Sequence, residues 1–113
     1  MALFNAVRVA KSGTYYVSGQ LPSDLEASVA EQTRSSLENV FAAVREAGID
    51  PKTALKMTIF TTCMDEFAAI NEAYAEFFAD WSDAEMPTRC AFGVTALAKG
   101  AKVEIDCTGE VAE

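Results

Sequence analysis

Met86–Cys107, MPTRCAFGVTALAKGAKVEIDC, decides how the chain is organised. Pro87 opens it, and Thr88–Thr95 then reads as a strand. Lys102–Thr108, with Val103, Ile105 and Cys107 alternating against polar residues, reads as another. Ala96–Ala101 joins them, a connection short enough for an antiparallel hairpin. Arg89 stands at the start of the first strand, beside Cys90, with no acidic residue among its immediate neighbours. It is a surface charge, the partner of Glu104, or a cation held for an anion outside the chain.

Upstream, the apolar residues change period. Phe67, Ile70, Tyr74, Phe77 and Phe78 recur at helical spacing, with Asp65 placed to cap the helix and Asn71 beside its stripe. Ala54–Thr62, ALKMTIFTT, is rich in β-formers. A longer helix precedes it, with Val29, Thr33, Leu37, Val40, Phe41 and Val44 on one face and Glu31, Arg34, Glu38 and Arg45 on the other. Both Ser23 and Ser28 fit a capping box at its start, and Gly48 followed by Asp50-Pro51 stops it. Asn5–Ala10 and Thr14–Ser18 form an opening hairpin around Lys11–Gly13, and Gly19–Asp24 breaks the pattern. The order β-β-α-β-α-β-β predicts an α+β domain with two helices on one sheet face. Two helices leave the other face uncovered, and Phe92, Val94, Leu97, Val103, Ile105 and Cys107 make parts of the strands look apolar on both faces. Association through the sheet is the physical expectation.

Composition narrows the function. Residues 1–113 read as one domain. Nine basic and seventeen acidic residues give a net charge of −8, and no basic stripe interrupts the acidic field, so nucleic acid is not an expected partner. No apolar run reaches the ~20 residues that cross a bilayer, and no signal-peptide layout is visible, so the cytoplasm is the expected location. Histidine is absent, which removes the commonest general base and metal ligand. Cys63, Cys90 and Cys107 form no CxxC pair and support no metal site. They read as small buried hydrophobes, or, for Cys90 and Cys107, as a pair facing each other across the terminal hairpin.

Four features can carry chemistry, and each has a plainer reading. Glu104 either faces a ligand or points outward with Lys102 and Asp106. Gly19, after Ser18, is a turn glycine or a place where bare backbone meets a ligand. Asn71 either serves a site or satisfies a nearby backbone group. Arg89 is the fourth.

Together, YVSGQLP (Tyr16–Pro22), EQTRSSLENVFAAVREAGID (Glu31–Asp50), LKMTIFTTCMDEFAAINEAYAEFF (Leu55–Phe78) and the closing block resemble the RidA/YjgF family of enamine/imine deaminases, also called the endoribonuclease L-PSP family. The resemblance spans almost the whole chain. It implies the chorismate-mutase-like α+β fold: a five- to six-stranded mixed sheet, assembled as a homotrimer around a central barrel with clefts between subunits. It implies that Arg89 grips the carboxylate of a small 2-imino or 2-aminoacrylic acid and that Glu104 positions water. Ser18, Gly19, Asn71 and the backbone of Ala91 are then the remaining substrate contacts. The implied activity is that of a 2-iminobutanoate/2-iminopropanoate deaminase, without cofactor or metal, since a protonated imine carbon is already electrophilic. Ala91 stands where the family often has a cysteine, and Leu3 and Phe4 where many members have a GPYS-like tyrosine motif. Those departures keep a non-catalytic or altered-specificity carboxylate-binding protein as the alternative. Ribonuclease activity, attributed to some relatives, fits poorly with the acidic charge and the missing histidine.

Overall fold

The computed structural model describes residues 2–112. Five strands, β1 (Val7–Val9), β2 (Thr14–Gln20), β3 (Ala54–Thr61), β4 (Thr88–Gly93) and β5 (Val103–Glu110), form one sheet in the order β1-β2-β5-β3-β4. Two helices, α1 (Val29–Glu46) and α2 (Phe67–Phe77), pack on one face. The expected α+β class is the one observed.

Local chemistry sets the helix ends. Ser28, not Ser23, caps α1: its Oγ accepts from the Glu31 N–H at 3.2 Å. At the other end Gly48 takes φ +77°, and the N–H groups of Gly48 and Ile49 return to the carbonyls of Arg45 and Val44. The expected stripe is the buried one: Val29, Thr33, Leu37, Val40, Phe41 and Val44 all lie inside. They meet Tyr15, Val17, Met57, Ile59 and Ile105 in one core. Asp65 does not cap α2. It lies inside a single 3-10 turn, Met64–Glu66, and the helix begins at Phe67 without a side-chain cap.

The terminal strands do not form a hairpin. β4 runs parallel to β3, and α2 is the crossover that parallel pairing requires. β5 lies on the other side of β3, antiparallel to it and to β2. Thr61, at the end of β3, is the pivot. Its carbonyl accepts from the Val94 N–H at 2.9 Å and its Oγ1 donates to the Lys102 carbonyl at 2.8 Å. The connection turns at Lys99 and Gly100, with φ of +58° and +74°. A short loop was compatible with a hairpin; the parallel β3–β4 pairing wins because α2 has already carried the chain to the far edge of β3.

Cys90 and Cys107 therefore do not face each other. Cys90 is exposed opposite Thr58, Cys107 is buried opposite Met57, and β3 lies between their strands. The apolar residues of β5 also fall on one face only: Val103, Ile105 and Cys107 lie under the helices, while Glu104, Asp106 and Thr108 occupy the other side half-buried. The uncovered face takes its apolar surface from elsewhere, from Tyr16 (55% exposed) and from Phe92 (51% exposed), stacked on Phe60 at 6.1 Å.

Candidate functional site

Arg89 is placed by its neighbours in sequence. Thr88 Oγ1 donates to the Leu55 carbonyl at 3.0 Å, pinning the start of β4 to β3. Arg89 then aligns with the buried Met57, so its side chain leaves the sheet on the helix side, at the open edge. There it crosses α2. Its Nη1 donates to Asn71 Oδ1 at 2.9 Å, and its guanidinium carbon lies 4.9 Å from the Tyr74 ring centre and 5.5 Å from that of Phe67. Phe67, Asn71 and Tyr74 are four and three residues apart, the spacing of one helix face.

Among the described residues no carboxylate neutralises Arg89. The ion pairs among the described residues are Arg34 with Glu31 and Glu76, and Lys52 with Glu85. The proposed Arg89–Glu104 pairing is not made within the chain. Asn71 serves the arginine rather than a backbone group, and one of the five guanidinium N–H donors is used. The outer side of Arg89 is exposed. Ala91, half-buried, follows two residues along the same side of β4.

Tyr74 lies beneath Arg89 and is 6% exposed; its hydroxyl is buried without a hydrogen-bond partner among the described residues. Burial pushes that phenol up to about 12, the nearby arginine pulling against it. Burial likewise pushes the Cys107 thiol up to about 12. Neither group ionises near neutral pH.

Ser18, Gly19 and Glu104 form a second group. The β2–β5 register shifts between Val17 and Gln20, a bulge that holds Ser18 and Gly19. Ser18 Oγ donates to the Asn5 carbonyl at 2.6 Å, tying down the segment before β1. Gly19 lies against the Glu104 carboxyl: a β-carbon there would come within 3.1 Å of Glu104 Cδ and closer still to Oε2. Glu104 does point outward with Asp106, as strand alternation requires, yet it is only half-exposed.

One chain does not bring the two groups together. Arg89 aligns with Met57 on the helix side, whereas Glu104 aligns with Phe60, three residues on and on the uncovered face. Two strand spacings, roughly 10 Å, separate β4 from β5 as well. In the sequence Phe67 and Tyr74 read only as core. The signal was their spacing about Asn71. A separate cleft of about 380 Å³, lined by Phe41, Arg45, Asp50, Pro51, Lys52, Phe77 and Trp81, contains none of the candidate residues. Arg89 lies at the open β4 edge, outside that cleft. Among the described residues no group of three or more Cys, Asp or Glu side chains converges as a metal site, and no helix is long and apolar enough to cross a membrane.

Comparison with known proteins agrees with this architecture. The family described as Endoribonuclease L-PSP matches residues 2–111. TdcF of Escherichia coli (strain K12), provisionally named a reactive intermediate deaminase, is 43% identical over 96 residues, covering 80% of this chain and 74% of TdcF. The RutC family protein PH0854 of Pyrococcus horikoshii is 33% identical over 103 residues, covering 85% of this chain and 79% of its own. The crystal structure of E. coli TdcF with bound serine superposes with a TM-score of 0.86 at 35% identity, covering 99% of this chain and 91% of that one. The E. coli YjgF gene product superposes at 0.80 and 34% identity, covering 90% and 84%. The chain belongs to the RidA/YjgF, or endoribonuclease L-PSP, family.

Proposed function

We propose that this protein hydrolyses small 2-imino acids, and the enamines that tautomerise to them, to 2-oxo acids and ammonium. The observation that carries the reading is Arg89: a permanent cation at an open edge, held by the neutral Asn71 and, among the described residues, by no carboxylate. A guanidinium fork suits a carboxylate, and binding it lowers the electron density that opposes attack on the adjacent carbon. Water adds through its oxygen to the iminium carbon while Glu104 takes the released proton. That proton is returned to nitrogen, the C–N bond breaks as Glu104 takes the hydroxyl proton, and ammonia leaves from the new carbonyl, picking up that proton to become ammonium. The serine held by E. coli TdcF is itself a small carboxylate of the size this scheme requires.

Arg89 and Glu104 lie on opposite faces of one sheet, so the reaction requires two copies of the chain. A homotrimer supplies them, with each cleft joining the β4 edge of one subunit to the Gly19–Glu104 group of the next. The uncovered face, with Tyr16, Phe60 and Phe92, is the surface such an assembly buries. The same separation favours a second reading, carboxylate binding without turnover, because the arginine half is complete in one chain.

An amino-acid oxidase coupled to the protein, with semicarbazide trapping the imine, tests this. Less semicarbazone formed than in buffer, an effect abolished in Arg89→Ala and in Glu104→Gln, supports catalysis. Binding of 2-oxobutanoate that depends on Arg89, with no acceleration, supports the second reading. Neither result in the wild type removes both.

A further inference from the structure

We infer that Tyr74 and Phe67 are positioning residues: their ring faces and the Asn71 amide form a charge-neutral clamp that holds the Arg89 guanidinium in place while leaving its charge available to a small carboxylate. The inference rests on the function proposed for Arg89 and adds two residues to it. An exposed arginine has many rotamers, and ordering it on ligand arrival weakens binding. A carboxylate partner would order it but cancel the charge that the ligand needs. Each contact that Arg89 makes avoids this. Asn71 accepts one N–H at 2.9 Å through a neutral oxygen, and the rings at 4.9 and 5.5 Å attract a cation through their faces. All three come from one stripe of α2, so the clamp is as rigid as the helix. Ile70 and Ala73, buried between them, seat that helix on the core.

The ring of Tyr74, not its hydroxyl, is the working part. The hydroxyl is buried and unpartnered, so it reaches neither ligand nor solvent. Tyr74→Phe therefore keeps the clamp, and Tyr74→Leu loses it. Phe67 is only half-buried, so Phe67→Leu removes a ring with little risk to folding.

Two measurements test this. In the ligand-free protein, the Arg89 side-chain N–H resonances are displaced upfield by the rings in wild type and Tyr74→Phe, and return toward the random-coil position in Tyr74→Leu and Phe67→Leu. In the coupled imine assay, the two leucine variants raise KM about two- to thirtyfold, the span of one cation–π contact, with kcat changed less than KM and Tyr74→Phe at the wild-type value. Unshifted resonances in the wild type overturn the clamp whatever the protein catalyses. Shifted resonances with unchanged KM in folded Phe67→Leu and Tyr74→Leu overturn its role in binding. A wild type with shifted resonances but no carboxylate binding or turnover instead removes the function on which the inference rests. If Tyr74→Leu does not fold, Phe67→Leu alone decides.

Discussion

Asn71→Asp separates stability from binding at Arg89. The substitution is nearly isosteric and places a carboxylate oxygen where Oδ1 now accepts from Arg89 Nη1 at 2.9 Å. Asn and Asp have similar helix propensities, so α2 is little affected. The new ion pair is exposed and is worth about 0.2–1 kcal/mol. For a domain of this size that raises Tm by about 1–4 °C. A ligand carboxylate on the outer side of the guanidinium lies roughly 6 Å from the new charge. Coulomb repulsion there is about 0.7 kcal/mol in a fully aqueous dielectric and about 3 kcal/mol at the effective value near protein surfaces. Binding of 2-oxobutanoate, or 1/KM for the imine, falls about threefold to over a hundredfold. The variant becomes more stable and binds less. Thermal melts and calorimetric titration at low and high salt measure both, and both effects shrink as salt rises. In an Arg89→Ala background the gain in Tm disappears. A lower Tm would show that Arg89 does not rest on residue 71. A higher Tm with undiminished binding would show that the ligand's carboxylate does not meet Arg89.

Three further outcomes are expected. Gly109→Ala would drive a β-carbon into the Tyr15 ring, within 2.6 Å of Cε2, where Tyr15 is fully buried and its hydroxyl pairs with Thr53 Oγ1 at 3.1 Å. Overpacking and the strained hydrogen bond together cost about 2–4 kcal/mol in urea unfolding, and a loss below about 0.5 kcal/mol would contradict that packing. Gly19→Ala meets only the flexible end of Glu104, so Tm holds within a few degrees while imine turnover drops at least as far as in Glu104→Gln; full activity would separate Gly19 from the site. Cys107 and Tyr74 both keep their protons to about pH 12 when folded, against ordinary values of 9.0 and 10.0. Their contribution is thus whole below about pH 9 and lost as pH rises toward 12. Tm falls over that range, and Cys107→Ala lowers the neutral-pH plateau but flattens the fall; an equally steep decline in the variant would assign it to other groups.

The first helix was almost fully legible, because its information is local: a stripe, a stop at Gly48 and Pro51, and two candidate caps that only the Ser28–Glu31 contact could separate. Strand positions were equally readable, but strand neighbours were not. The Ala96–Ala101 loop is compatible with a hairpin, and nothing in it reveals that β3 already occupies the place beside β4. The same intervening strand keeps Cys90 and Cys107 apart. At the site, Arg89 drew attention by its lack of a nearby acid, but Asn71 as its partner lies eighteen residues away and across an element boundary. Phe67 and Tyr74 were hidden by their type, since aromatics on a helical stripe ordinarily mean core.

The strand order has a consequence for biosynthesis. β5 is the last of the five strands to leave the ribosome and the third across the sheet. Until it emerges, the nascent β1–β2 ribbon and the β3–α2–β4 unit share no edge, and α1 has only part of its seat. Completing the sheet then requires a central strand to enter between two edges already made. Sequence-distant pairing of this kind is slow, and the waiting edges are what a chaperone would have to shield.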